Sequence, residues 1–169
     1  MVTDLERLID ALAAEQVDFV IIGGVALVLH GSPRITQDLD ICYGRTPENL
    51  ERLAAVLRPY HPTLRGAPRD LPFELDARSL ASGLNFTLES ELGDFDLIGE
   101  VSGVGGYQQV AADAVPMQVY GHSVRVMSLA ALERAKRAAG RLKDLADLAE
   151  IAELRRRGGT NGNSSSGSS

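Results

Sequence analysis

Two aspartates, Asp38 and Asp40, flank a leucine in a segment where polar and apolar residues alternate. This alternation is typical of a half-buried strand, on which residues two apart project from the same face. Two neighbouring carboxylates repel each other and need a cation. Their hard oxygen atoms suit Mg²⁺ or Mn²⁺, which proteins commonly bind through one or two carboxylates plus substrate phosphates. Most Asp-x-Asp pairs are solvated surface acids, but this pair has a context that favours a metal site.

That context is a pair of adjacent glycines one predicted helix and one loop upstream. Gly23 and Gly24 stand between a predicted buried strand at residues 18–22 and a predicted helix that Gly31 closes. Free backbone N–H groups at the start of a helix can bind a triphosphate. A tight turn with positive φ is the commoner reason for a lone Gly-Gly pair. Followed by the acidic strand, the glycines predict a combined site for phosphate and metal.

The basic residues near the C-terminus offer a second place for an anion. Residues 1–132 carry 9 basic and 18 acidic side chains, whereas residues 133–157 carry 8 basic and 5 acidic ones. The only two lysines, Lys136 and Lys143, are seven residues apart and share a helix face if the helix continues through Gly140. A lysine is a compact charge that suits a phosphate oxygen. The alternative is surface pairing of Lys143 with Asp147 at i,i+4.

The elements that must position these residues indicate a mixed α/β (α+β) domain, with a mixed sheet flanked by helices and a helical C-terminal segment. We predict strands at 18–22, 38–43, 84–88, 95–98, 117–120 and 124–127. We predict helices at 4–16, 25–30, 46–58, near 77–81, near 108–112, from 128 and from 142 to about 156. Thr3, Thr46 and Ser128 are the predicted N-caps. Residues 1–157 should form the domain, and residues 158–169 a flexible Gly/Ser/Asn tail.

Composition excludes several classes of protein. At 169 residues, with 44% hydrophobic residues and a net charge of -6, the chain suits one globular domain and does not favour broad nucleic-acid binding. One cysteine, Cys42, and three scattered histidines cannot assemble the usual zinc site. An apolar run of eleven residues, Phe19 to Leu29, is too short to cross a membrane, and no signal peptide is visible. We therefore expect a cytoplasmic protein without a membrane partner.

Two separated motifs resemble those of a known superfamily. Residues 22–26, Ile-Gly-Gly-Val-Ala, and residues 31–41, which end in Asp38-Leu-Asp40-Ile, resemble the signature of the nucleotidyltransferases related to DNA polymerase β. Within that superfamily the chain looks most like the small bacterial AbiEii-like enzymes of toxin–antitoxin and abortive-infection systems. That group also ends in a helical region with a spaced Lys, an Arg and a Lys-Asp-x-x-Asp element. Here those residues are Lys136, Arg141 and Lys143 to Asp147, so the resemblance extends over residues 1 to about 157.

The resemblance implies a nucleotidyltransferase fold, two Mg²⁺ or Mn²⁺ ions and an NTP substrate. It implies Asp38 and Asp40 as metal ligands and a third carboxylate from a later strand. Asp96 fits that role by position, and Asp94, on the same strand face, stays open as its alternative. Glu89 and Glu91 are more typical of exposed strand or turn residues.

The same resemblance implies roles for other residues. Gly23 and Gly24 would hold the triphosphate, while Lys136, Lys143 and Asp144 or Asp147 would close over the nucleotide or the acceptor. The residues Ser32, Arg34 and Thr36 lie in the loop before the acidic strand, where they either contact the nucleotide or serve as a turn cap and solvated loop residues. The histidines His30, His61 and His122 have no partner pattern that indicates catalysis, and neither has Cys42.

The function implied is transfer of a nucleoside monophosphate from an NTP to a hydroxyl group, with release of pyrophosphate. The acceptor would be a tRNA or a partner protein, such as a cognate toxin or antitoxin. Two alternatives stay open. One is a catalytically silent nucleotidyltransferase fold that serves as a binding or antitoxin module, and the other is an antibiotic-modifying nucleotidyltransferase.

Overall fold

A computed structural model describes residues 3–68 and 70–161, without the side chains of residues 142, 143 and 159–161. The helices are α1 (Leu5–Ala14), α2 (Gly23–Leu29), α3 (Pro47–Leu57), α4 (Ala77–Ser82), α5 (Tyr107–Ala112), α6 (Leu129–Ala139) and α7 (Leu142–Asn161). The strands are β1 (Phe19–Ile22), β2 (Leu39–Tyr43), β3 (Thr63–Leu64), β4 (Asn85–Ser90), β5 (Gly93–Ile98), β6 (Glu100–Val101), β7 (Gly105–Gly106), β8 (Val115–Val119) and β9 (His122–Val126).

Seven of these strands form one mixed sheet in the order β3-β4-β5-β2-β1-β9-β8. The central strand β2 is antiparallel to β1 and parallel to β5, and β1 is parallel to β9. Strands β6 and β7 form a separate two-stranded sheet. The predicted mixed α/β architecture is confirmed. None of the helices in the described ranges is both long and apolar enough to span a membrane.

The first helix shows how the core is built and corrects one prediction. Leu8, Ile9 and Leu12 recur at helical spacing and are each 1% exposed. The prediction that Thr3 caps this helix is wrong, because the side chain of Asp4 accepts the N–H of Arg7 instead. The Thr3 hydroxyl is occupied elsewhere, since it bonds both backbone groups of Asp94 in β5. Thr3 therefore fastens the N-terminus to the strand that carries two candidate site residues.

The other two predicted caps are confirmed, because the side chains of Thr46 and Ser128 accept the N–H groups of Asn49 and Ala131. The predicted strand at 117–120 ends one residue early, because the turn between β8 and β9 lies at Tyr120 and Gly121, which both have positive φ. Two consecutive left-handed residues are what a tight hairpin turn requires.

The C-terminal region consists of two helices, as predicted. Gly140 ends α6 in the left-handed conformation, with φ of 62° and its N–H bonded to the carbonyl of Lys136. The premise that a continuous helix places Lys136 and Lys143 on one face is therefore wrong, because a C-terminal glycine of this kind reverses the chain. Helix α7 continues to Asn161, past the predicted end near Arg156. The predicted tail from residue 162 onward lies outside the described residues.

Candidate active site

The structure brings Asp40 and Asp96 face to face across two neighbouring parallel strands. The register of β2 and β5 pairs Asp40 with Asp96 directly, and the neighbouring Asp96 carboxyl helps to raise the pKa of Asp40. Asp94 lies two residues earlier on β5, about 7 Å away along the strand. Strand parity alone left Asp94 and Asp96 equivalent, whereas the register between strands places Asp96 beside Asp40.

The electrostatics of Asp40 reflect this arrangement. Burial raises the pKa of Asp40 to about 7, helped by the charge and hydrogen bond of Asp96 and by the charge of Asp38, while the Arg65 guanidinium opposes the rise. Near neutral pH, Asp40 is therefore protonated for part of the time. A positive charge between these oxygens would replace that proton.

The two glycines are required by what lies against them. Gly23 has a φ of 67°, and a Cβ atom on it would stand 2.5 Å from Oδ2 of Asp40. A Cβ atom on Gly24 would stand 2.9 Å from Oγ1 of Thr36. The positive φ of Gly23 fits the tight-turn interpretation, and the phosphate-binding role of the two glycines stays a prediction. Helix α2 begins at Gly23, so its first N–H groups lack partners within the helix.

The chemistry of these residues fits a divalent cation. Asp40 and Asp96 supply neighbouring hard oxygen ligands, and the missing side chain of Gly23 lets an Asp40 oxygen lie against the backbone at the start of α2. Asp38 lies just before β2 and is exposed. Within residues 3–68 and 70–161, no three Asp, Glu, His or Cys side chains are already arranged around a possible metal position. The predicted role of Asp38 as a metal ligand thus stays a prediction that requires its side chain to turn inward.

An arginine that the sequence analysis did not identify lies beside the two aspartates of β5. Arg65 follows β3, and its guanidinium contacts Oδ1 of Asp96 at 3.0 Å and Oδ2 of Asp94 at 3.2 Å. It also donates to the carbonyl of Leu88 at 2.8 Å. The segment 59–83 was predicted to be mostly loop, and a strand of two residues is too short to show a periodic pattern. No signal in the sequence distinguishes Arg65 from its neighbours.

Gly23 also lines a cavity of about 300 Å³. Lys136 and Arg141 line it, so this cavity joins the glycine turn to the end of α6 and the start of α7. Apolar side chains form much of the remaining wall, among them Ile22, Ile98, Val101, Met127 and Leu132. The cations of this cavity suit the phosphates of a nucleotide, and its apolar wall suits the base. The neighbouring carboxylate pair suits a metal ion bound to those phosphates.

The predicted residues of α7 lie around Lys136. The ammonium Nζ of Lys136 lies 2.9 Å from Asp147 and 3.4 Å from Asp144, whose side chain is only 1% exposed. Arg141 binds Asp144 through both its backbone N–H and its Nε. Burial opposes ionisation of Asp144, but Arg141 and Lys136 outweigh it and lower its pKa. Asp144 therefore pairs with both Lys136 and Arg141. The side chain of Lys143 lies outside the described residues.

Arg34 is tied to α7 by ion pairs. Its guanidinium bonds Asp147 at 2.7 Å and also bonds Glu150. The hydroxyl of Ser32 accepts the backbone N–H of Arg34, and Ser32 is buried. Ser32 thus acts as a turn cap, while Asp147 links Arg34 to the lysine of α6. Thr36 lies against Gly24, so it is the member of this loop next to the glycine turn.

The remaining reactive side chains lie elsewhere. His30 contacts the carbonyl of Met127, His61 contacts Glu91, and His122 contacts Asp10. Burial raises the pKa of the Cys42 thiol to about 11. Strand parity had placed Cys42 on the same face as Asp40, but the cysteine is 0% exposed. It is therefore a core residue.

Comparison with known proteins gives one family and several similar folds. The family described as nucleotidyl transferase AbiEii toxin, Type IV TA system, matches residues 5–110. The search of curated protein sequences finds no match. Among solved structures, the lincosamide antibiotic adenylyltransferase LnuA, in its lincomycin-bound form, is 16% identical with a TM-score of 0.57, over 90% of this chain and 98% of that one.

Two further structures share the fold at the same identity of 16%. An antigenic nucleotidyltransferase-like protein from Paracoccidioides brasiliensis has a TM-score of 0.55, over 90% of this chain and 77% of that one. A protein of Thermotoga maritima assigned as a nucleotidyltransferase has a TM-score of 0.56, over 88% of this chain and 90% of that one. These similarities confirm the predicted nucleotidyltransferase fold.

Proposed function

Because the chain belongs to the AbiEii family of nucleotidyltransferase toxins, we propose that it transfers a nucleoside monophosphate from an NTP to a hydroxyl group of a tRNA or a partner protein. The proposed reaction depends on Mg²⁺ or Mn²⁺ and belongs to a toxin–antitoxin or abortive-infection system. The observation that carries this proposal is the pairing of Asp40 with Asp96 across β2 and β5, with the Asp40 carboxylate against the backbone of Gly23.

The carboxylates are the proposed ligands of the metal ions. Asp40 and Asp96 are already paired across β2 and β5, and Asp38 would join them from the exposed end of β2. When bound, two divalent ions supply positive charge to both the entering and the leaving oxygen of an in-line displacement. The protein contributes fixed carboxylates, so that the charge is held where the phosphate must lie.

The nucleotide would lie in the cavity between Gly23 and Lys136. The backbone at Gly23 and Gly24 would face the triphosphate, and Lys136 would contact a phosphate oxygen. Lys136 lies in this cavity together with Arg141, and Asp144 holds both cations in place. We therefore assign Asp144 a positioning role. For Ser32, Arg34 and Asp147, a contact with the nucleotide would require a change of their present partners. Thr36 already lies against Gly24. The proposed nucleotide contact of Lys143 involves a side chain outside the described ones.

The proposed transfer breaks one bond and forms one. The acceptor hydroxyl oxygen bonds to the α-phosphorus, and the bond between that phosphorus and the oxygen bridging to the β-phosphate breaks. Pyrophosphate leaves with the electron pair of that bond. Asp96, which lies between Asp40 and the Arg65 guanidinium, accepts the hydroxyl proton in this proposal.

A small-molecule acceptor is the second candidate. This chain spans 98% of the length of LnuA, whose structure is described as a lincosamide antibiotic adenylyltransferase with lincomycin bound. A fold of this size is therefore enough to act on a small acceptor in that protein. The comparison with LnuA supports the fold and the sufficient size of this chain, and it identifies no residue that would bind the acceptor.

The test incubates the full chain with Mg²⁺, each α-³²P-labelled NTP and one acceptor class at a time. The acceptor classes are total bacterial tRNA, lysate protein and a panel that includes a lincosamide and an aminoglycoside. Label on RNA or protein, lost in Asp40→Asn, supports the first proposal, and label on a small molecule supports the second. If the folded protein labels nothing and Mg²⁺ with an NTP leaves its Tm unchanged, the chain is a catalytically silent binding module instead.

A further inference from the structure

Arg65 forms ion pairs with both Asp94 and Asp96. Its backbone N–H donates to the carbonyl of Thr87, which fixes the start of the side chain on the edge of β4. The side chain then crosses β4, donates to the carbonyl of Leu88 and ends between the two aspartates of β5. Arg65 is therefore held at both ends, and its guanidinium has a defined place.

The guanidinium of Arg65 contacts the two aspartates through different nitrogen atoms. Nη2 contacts the Asp96 carboxylate at 3.0 Å, while Nε contacts the Asp94 carboxylate at 3.2 Å. Asp96 faces Asp40 in the neighbouring strand, whereas Asp94 faces Glu89. The contact with Asp96 is a hydrogen bond, which gives that carboxylate a direction, whereas the contact of Nε with Asp94 is an ion pair without hydrogen-bond geometry.

We propose that Arg65 is a positioning residue of the transfer site, which holds the Asp96 carboxylate towards Asp40 and uses Asp94 as its own anchor. This inference rests on the proposed function, because it assigns a role within the same site. It also gives the two open candidates different tasks. Asp96 is the third carboxylate of the site, and Asp94 acts on it through Arg65.

The proposal predicts a loss of turnover without a loss of metal. In Arg65→Ala the Asp96 carboxylate is free to rotate, and misplacement of a reacting group by about 1 Å can cost about a hundredfold in rate. We expect kcat to fall by about 10- to 100-fold and KM for the NTP to stay within about twofold. Mn²⁺ alone, followed by electron paramagnetic resonance of the free ion, should bind at least as tightly, because a competing cation has been removed.

Three further variants separate positioning from general scaffolding. Arg65→Lys keeps the charge but not the fork, so its kcat should lie between those of the wild type and Arg65→Ala. Added guanidinium at millimolar concentration should restore part of the activity of Arg65→Ala. Asp94→Asn should lower kcat severalfold in the wild type and have little effect in Arg65→Ala, since both changes remove the same interaction. Arg52→Ala, an exposed arginine on α3, is the control expected to keep full activity.

The outcomes are distinct. Unchanged kcat in Arg65→Ala, or additive effects of Asp94→Asn and Arg65→Ala, overturns the inference while wild-type transfer leaves the proposed function standing. Loss of Mn²⁺ binding in parallel with activity also overturns it, because Arg65 would then be needed to form the site at all. A wild-type chain that neither binds Mn²⁺ nor transfers label overturns the proposed function, and the inference with it.

Discussion

Replacement of Asp40 by asparagine should stabilise the metal-free protein while it abolishes transfer. The folded state holds the pKa of Asp40 at about 7, whereas an unfolded aspartate has a pKa of about 3.9. At pH 8 the folded protein must therefore ionise a group that resists ionisation. Asparagine has a similar shape and needs no ionisation, so Asp40→Asn removes this cost.

The magnitude follows from the two pKa values. Each tenfold change in proton affinity corresponds to about 1.4 kcal/mol, so the difference is worth at most about 4 kcal/mol. Solvent screens a partly buried pair, and we expect roughly half of this value, about 2 kcal/mol. For a domain of this size that corresponds to a rise in Tm of about 4 to 8 °C.

The pH dependence has a defined sign. Below about pH 4 both states of the wild type hold the proton, and the two proteins should be equally stable. Between about pH 4 and pH 7 the unfolded carboxyl ionises first, so the wild type loses stability relative to Asp40→Asn as the pH rises. Above pH 7 the difference is complete.

The assay is thermal unfolding from pH 4 to pH 8, with and without 10 mM Mg²⁺. Glu51→Gln, an exposed carboxylate on α3, is the control and should show no such difference. Mg²⁺ should raise the Tm of the wild type at pH 8 and leave that of Asp40→Asn unchanged. A variant no more stable than the wild type at pH 8, or a difference that does not grow with pH, would refute the reasoning.

Three other perturbations test separate parts of the structure. Gly23→Ala should lower the free energy of unfolding by about 1 to 3 kcal/mol and remove most of the transfer activity, because φ is 67° and its Cβ would stand 2.5 Å from a carboxylate oxygen. Chemical denaturation measures the stability and label transfer measures the activity. Gly121→Ala, with positive φ but open space, is the control that should lose stability only. Asp144→Asn should lower the Tm more than Asp147→Asn, since their side chains are 1% and 16% exposed, and equal Tm values would contradict this. A thiol reagent at pH 8 should label Cys42 only after denaturation, because burial raises its pKa to about 11; rapid labelling of the native protein would show that the thiol is accessible.

The sequence predicted the elements that carry the site better than the contacts between them. The predicted strands at 18–22 and 38–43 lie within one residue of β1 and β2, and the predicted mixed fold is confirmed. Period-2 alternation also predicts that Asp94 and Asp96 share a face. It cannot predict which of them meets Asp40, because the register between β2 and β5 joins segments more than fifty residues apart.

The missed features depend on geometry that single residues do not encode. Arg65 reaches the site only because a two-residue strand pairs with β4 and aims its side chain across the sheet. The shared face of Lys136 and Lys143 required a helix that continues through Gly140, but the left-handed Gly140 separates α6 from α7 and Lys136 pairs with Asp144 and Asp147 instead. Thr3 fits a capping pattern in sequence, yet its hydroxyl is used by β5. In each case a tertiary contact replaced a local preference.

The most direct test of the central claim locates the metal. Crystals of the full chain grown with Mn²⁺ and an NTP analogue that resists cleavage between its α- and β-phosphates would be measured for anomalous diffraction. We predict anomalous peaks at the carboxylates of Asp40 and Asp96, with the triphosphate against Gly23 and none at Asp94. Ordered nucleotide with manganese bound away from Asp40 and Asp96 would contradict the account.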